Sequence, residues 1–127
     1  MKLQYAVLIG LLLGVVLLGA CGPSQPTGTL TAAELLGDPI YDTEVKVYGQ
    51  VSDLGELLCP CFSLTSGDDR IEVWYGLMVE ADGSEWPAVS VEGIKNGDWV
   101  VVTGELRASE GTLPSRTFWA SQIEGVD

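Results

Sequence analysis

Gly97-Asp98-Trp99-Val100-Val101-Val102-Thr103-Gly104-Glu105-Leu106 is the stretch on which the fold turns. Lys95-Asn96-Gly97-Asp98 is a turn. It feeds directly into a run dominated by β-branched and aromatic residues, the strongest strand in the chain. Trp99 opens that run, which is apolar on both faces, and reads as core. Working back towards the N-terminus, Val45, Val47 and Val51 alternate with Lys46, Tyr48 and Gln50, and Gly49 inside the run signals a bulge or bend. Phe62 and Leu64 alternate with Cys61, Ser63 and Thr65, and Ser66-Gly67-Asp68-Asp69 predicts a hairpin turn. Ile71, Val73 and Tyr75 then alternate with Arg70, Glu72 and Trp74. Ala81-Asp82-Gly83-Ser84 is a further turn, Ala88-Val89-Ser90-Val91 a candidate short strand, and Phe118 to Ile123 the closing strand.

Several short strands at this spacing predict one small all-β barrel. The segments Val45 to Val51, Phe62 to Leu64 and Gly97 to Leu106 resemble the OB-fold. In particular they resemble its small exported members and OB domains of the anticodon-binding type. The resemblance covers residues 31 to 125 and implies a five-stranded Greek-key barrel with a short N-terminal helix. A β-sandwich is the alternative for the same strand pattern. Hydrophobic spacing and glycines carry the likeness, so it speaks to fold and hardly to function.

The helix is expected just before the first strand. Thr31-Ala32-Ala33-Glu34 fits a capping box, and Gly37-Asp38-Pro39 stops the helix after about two turns. Residues 21 to 30 are rich in Gly, Pro, Ser and Thr and read as a flexible tether. The fifteen residues Ala6 to Ala20 are apolar or small, follow Lys2, and end in Leu18-Gly19-Ala20-Cys21. That length suits a signal-peptide core and falls short of the roughly 20 residues of a spanning helix. An uncleaved membrane anchor is the alternative. The segment resembles the lipobox of bacterial lipoproteins. The resemblance implies a signal peptide over residues 1 to 20, cleavage before Cys21 and a lipid on its sulfur. The protein is then extracytoplasmic, on a bacterial membrane, with a single domain over residues 31 to 127.

Beyond Cys21 lie five basic residues (Lys46, Arg70, Lys95, Arg107 and Arg116) and all eighteen acidic ones, a net charge of −13. Such a surface repels nucleic-acid phosphates, so a nucleic-acid partner is disfavoured. The chain has no histidine. That removes the commonest general base and metal ligand, and with them any Ser-His-Asp or Cys-His machinery. The balance points away from an enzyme.

Cys59-Pro60-Cys61 is the sharpest motif after the lipobox. With Cys21 lipidated these are the remaining thiols, and export favours a disulfide. In a fully extended strand the two Cα atoms lie about 7 Å apart, at the limit for bridging, unless Pro60 bends the chain. The other outcomes are inert thiols or a soft-metal or redox pair, completed by a carboxylate, Met78, water or a partner. With Phe62 and Leu64 inward, parity turns Cys61, and by extension Cys59, outward and towards solvent. No cofactor is expected beyond that soft metal.

Parity also sets Arg70, Glu72 and Trp74 on the face opposite Ile71 and Val73. OB-folds present ligands across their second and third strands, which makes these three the candidate ligand face for a small molecule or protein. Packing of Trp74 under a loop is the competing expectation. The acidic turns around Asp68-Asp69 and Glu80 to Glu85 lack the calcium-loop pattern, and Asp53 with Glu56 carries no glycosidase signature. The function expected is a membrane-tethered, non-enzymatic binding or assembly module, with thiol or copper handling at Cys59 and Cys61 as the alternative.

Overall fold

The computed structural model describes residues 23–109, 111 and 113–127. The segment expected to be a signal peptide, residues 1 to 20, and Cys21 lie outside them. The elements are α1 (Ala32–Gly37), β1 (Glu44–Ser52), β2 (Cys61–Ser66), β3 (Asp69–Trp74), β4 (Met78–Val79), β5 (Glu85–Trp86), β6 (Trp99–Leu106) and β7 (Thr117–Gly125). Five of the strands close a barrel in the order β1-β2-β3-β7-β6, and β4 pairs with β5 in a separate small hairpin. β3 and β7 run parallel, with Val73 opposite Phe118, and the other barrel contacts are antiparallel. Closure into one barrel replaces the two packed sheets of the alternative sandwich.

The expected alternation builds the core. Val47, Val51, Phe62, Leu64, Ile71, Val73, Val100, Val102, Leu106, Phe118 and Ala120 are all buried in one cluster. Two inward positions on these strands are glycines, because the wall has no room for a side chain there. A Cβ on Gly49 would meet the Thr65 carbonyl oxygen at 2.8 Å. It lies where β1 passes from β6 to β2, next to Gln50, which pairs with both. A Cβ on Gly104 would strike the Trp119 carbonyl and sit 2.8 Å from Phe118 Cε1. The β6–β7 register slips at this point, from Thr103 opposite Gln122 to Gly104 opposite Ala120. That slip bends the sheet into the closing barrel.

α1 forms as the capping box requires. The Glu34 N–H donates to Thr31 Oγ1 at 3.1 Å, and the Thr31 N–H donates to Glu34 Oε1 at 3.1 Å. The Thr31 backbone N–H, then the Gln25 and Thr31 side chains, hold the Glu34 carboxyl below its usual pKa. Ala32 and Leu35 are fully buried against the barrel, and the Ala32 N–H donates to Ser66 Oγ.

Three features differ from the sequence expectation. Residues 23 to 30, part of the expected flexible tether, lie hydrogen-bonded along the barrel. Leu30 bridges Val47 in parallel, through Leu30 N–H to the Lys46 carbonyl and Tyr48 N–H to the Leu30 carbonyl, each 2.8 Å. The Tyr48 hydroxyl donates to the Pro23 carbonyl, and burial pushes that phenol's pKa up. Trp99, expected in the core, is half-buried on the outer face. Its register partner is Gln50, and its ring stacks on Tyr48 with centroids 5.1 Å apart. The Ala88 to Val91 stretch forms no strand. Val89 and Val91 pack onto the core from a loop, with the Val89 N–H on the Tyr75 carbonyl at 2.8 Å.

Candidate binding face

Strand register sorts the outward side chains of β2, β3 and β7 into rows. Thr65 pairs with Arg70; Ser63 with Glu72, and Glu72 with Thr117; Cys61 with Trp74, and Trp74 with Trp119. All face away from Phe62, Leu64, Ile71, Val73 and Phe118. Arg70, Glu72 and Trp74 therefore share the outer face of the second and third barrel strands.

The chain then covers part of that face with its own β1–β2 loop. Asp53 follows β1 in a left-handed conformation (φ 61°), which Asp tolerates better than most residues. Its Oδ2 accepts from Ser63 Oγ at 2.8 Å. The loop is pinned by Asn96, whose Oδ1 accepts from the Leu54 N–H at 2.8 Å. It returns to β2 through a Cys59–Cys61 disulfide with Cα atoms 5.2 Å apart. The bend at Pro60 thus brings the cysteines within bridging distance. Parity placed Cys61 on the outer face correctly, but its expected exposure is corrected: Cys61 is fully buried and Cys59 half-buried. Strand parity fixes the side of the sheet and carries no information on what packs over it.

Between loop and strands lies a cleft of about 210 Å³, lined by Asp53, Leu57, Ser63, Arg70, Ile71, Glu72 and Arg116. It adjoins a hollow of about 390 Å³ lined by Thr65, Asp68, Asp69, Arg70 and Arg116. Arg116 comes from the β6–β7 connection. Its Nη1 donates to Asp69 Oδ1 and to the Arg70 carbonyl, both at 3.0 Å. Among the described residues the exposed Arg70 guanidinium has no carboxylate partner. Trp74 does not line the cleft. Its Nε1–H donates to Glu72 Oε1 at 2.6 Å and so aims that carboxylate. Glu56, the other half of the Asp53 pair noted in the sequence, does not line it either.

Sequence reasoning missed Asp53, Ser63 and Arg116 as cleft residues, since the β1–β2 register sets the first two together and the long-range β3–β7 pairing brings in the third. It also missed Arg107, which ties the β4–β5 hairpin to the barrel. The guanidinium reaches Glu80 and Glu105 at 3.2 Å and Asp42 at 3.5 Å, and lies 4.2 Å from the Trp119 ring centroid. Trp86 packs edge-on against Trp119 and donates Nε1–H to the Ala120 carbonyl at 2.9 Å. This Arg107 cluster borders a separate cleft of about 540 Å³.

Solved structures share the architecture. The E. coli hypothetical protein ygiW matches with a TM-score of 0.53 and 19% identity, over 84% of this chain and all of that one. An OBody solved bound to hen egg-white lysozyme matches with a TM-score of 0.51 and 16% identity, over 81% of this chain and 98% of its own. The telomere capping protein Ten1 from Saccharomyces pombe matches with a TM-score of 0.50 and 13% identity, over 79% and 81%. The barrel is an OB-fold. No protein-family model and no curated protein matches the sequence. At these identities the likeness concerns the OB-fold alone. Within it the cleft occupies the second-and-third-strand face, flanked by the first and last inter-strand loops.

Proposed function

We propose that this chain is an exported, lipid-anchored OB-fold protein that binds a partner, without catalysis, through the outer face of β2 and β3. The observation that carries the binding role is the 210 Å³ cleft on that face. Loop residues Asp53 and Leu57 and the β6–β7 residue Arg116 close around Ser63, Arg70 and Glu72. Arg70 offers a guanidinium fork to a carboxylate or similar anion, and Ser63, Glu72 and Asp53 supply polar partners around it. The fit is to a polar protein segment; a protein partner is in keeping with the OBody, which shares the fold and is solved bound to hen egg-white lysozyme. Telomere capping is a property of Ten1; on this chain a net charge of −13 beyond Cys21 opposes a phosphate backbone.

The anchoring role rests on Leu18-Gly19-Ala20-Cys21 and on the short link from Cys21 to the barrel. Pro23, whose carbonyl accepts from Tyr48, is two residues from Cys21. Two residues reach about 7 Å at most. A lipid on Cys21 would therefore hold the barrel close against the bilayer, with the Tyr48 and Trp99 side nearest.

A photo-crosslinking residue at Arg70, expressed in the full chain in cells, is expected to give a discrete adduct in the envelope. The same residue at Gln122, exposed on β7 away from the cleft, is expected to give none. Equal adducts from both positions, or none from Arg70, would contradict the assigned face.

A further inference from the structure

Cys59, Cys61 and Glu72 bring two sulfurs and a carboxylate oxygen within 4.8 Å of one another. Two of the three positions are set by strand pairing, with Cys61 opposite Trp74 and Glu72 two residues before Trp74 on the same outer face. The cysteine backbone is also held by contacts other than the bridge. The Tyr75 N–H donates to the Pro60 carbonyl at 2.9 Å. The Pro60 ring lies so close to Gly76 that a Cβ there would stand 2.8 Å from Pro60 Cβ. With Pro60 fixed and Cys61 in the ladder, opening the bridge leaves both sulfurs beside Glu72.

The geometry points to a redox-gated site for a thiophilic divalent cation of the zinc class, formed by Cys59, Cys61 and Glu72 once the disulfide is reduced. Two thiolates and one carboxylate are a zinc donor set, with the fourth position left for water or a group from a partner. A monovalent soft ion such as Cu(I) would use the sulfurs and gain little from the carboxylate. Glu72 is the donor that selects between them. In the step itself a dithiol reductant supplies two electrons and two protons. The Cys59–Cys61 sulfur–sulfur bond breaks, two thiols form, and the reductant closes to its own disulfide. Binding of the cation then releases the two thiol protons as two metal–sulfur bonds form. Trp74 is the positioning residue, because its indole N–H holds one Glu72 oxygen. Glu72 also lines the 210 Å³ cleft, so cation binding withdraws a free carboxylate from the binding face. None of this depends on the lipid anchor.

The test uses the full chain carrying Cys21→Ser, in detergent, so that Cys59 and Cys61 are the only cysteines. Cd(II) is titrated anaerobically, following the thiolate charge-transfer absorption, and Zn(II) by competition with a chromophoric chelator. One ion per reduced chain and none per oxidised chain is expected. Trp74→Phe and Glu72→Gln are each expected to weaken binding by about 10- to 100-fold. Circular dichroism confirms that each variant is folded. Absence of binding by the reduced, folded chain would overturn the proposal, as would equal binding by the oxidised chain. An unchanged affinity in a folded Glu72→Gln variant would overturn the three-donor site.

Discussion

Gly104→Val is expected to lower the unfolding free energy by about 3 kcal/mol, the upper end of the cost of overpacking a wall that cannot yield. The new Cβ would press on the Trp119 carbonyl and the Phe118 ring, one of them backbone and the other fully buried. Neither can move aside without opening the β6–β7 ladder where its register already slips. Gly125→Ala on β7 is the control, since nothing lies within 4 Å of a Cβ there. It should change stability by less than about 0.5 kcal/mol. Urea denaturation of both variants measures the difference. Equal, small effects would mean that Gly104 is not a closure point of the barrel.

A second large loss is expected when the chain begins at Thr31 rather than at Pro23. Deleting residues 23 to 30 removes two backbone hydrogen bonds to β1, the half-buried Leu30 side chain and the cover over Tyr48. Together these contribute about 3 kcal/mol. α1 would persist, because its cap lies at Thr31 and Glu34. The shorter chain should therefore melt cooperatively but earlier, with its tryptophan fluorescence altered as Tyr48, on which Trp99 stacks, loses its hydrogen bond to Pro23. Identical melting of the two chains would return residues 23 to 30 to the role of a loose tether.

The barrel was legible where local rules suffice. Val47 and Val51, Phe62 and Leu64, Ile71 and Val73, and Val100 and Val102 declare their inward face by period-two spacing alone. Thr31 and Glu34 declare the helix start by their separation. Gly49 announced a special backbone position without saying what crowds it. The site was only partly legible. Parity puts Arg70, Glu72 and Trp74 on one face, but cannot show that the β1–β2 loop brings Asp53 and Leu57 over that face or that Cys61 is buried. Asp53 and Arg116 line one cleft from distant parts of the sequence, Asp53 placed by the β1–β2 pairing and Arg116 by the parallel β3–β7 pairing. Composition made residues 23 to 30 look unstructured. Their order comes from pairing with β1, which no local property of Gly, Pro or Thr encodes.

Intact mass of the protein extracted from membranes tests the account most directly. If the chain is an exported OB-fold module held by lipid at Cys21, the mature species begins at that residue, lacks residues 1 to 20 and carries acyl mass on its first residue. The Cys21→Ser chain should then retain residues 1 to 20 and carry no such mass. Full-length protein without an adduct in the wild type would contradict the account, as would a mass that Cys21→Ser leaves unaltered apart from the substitution itself.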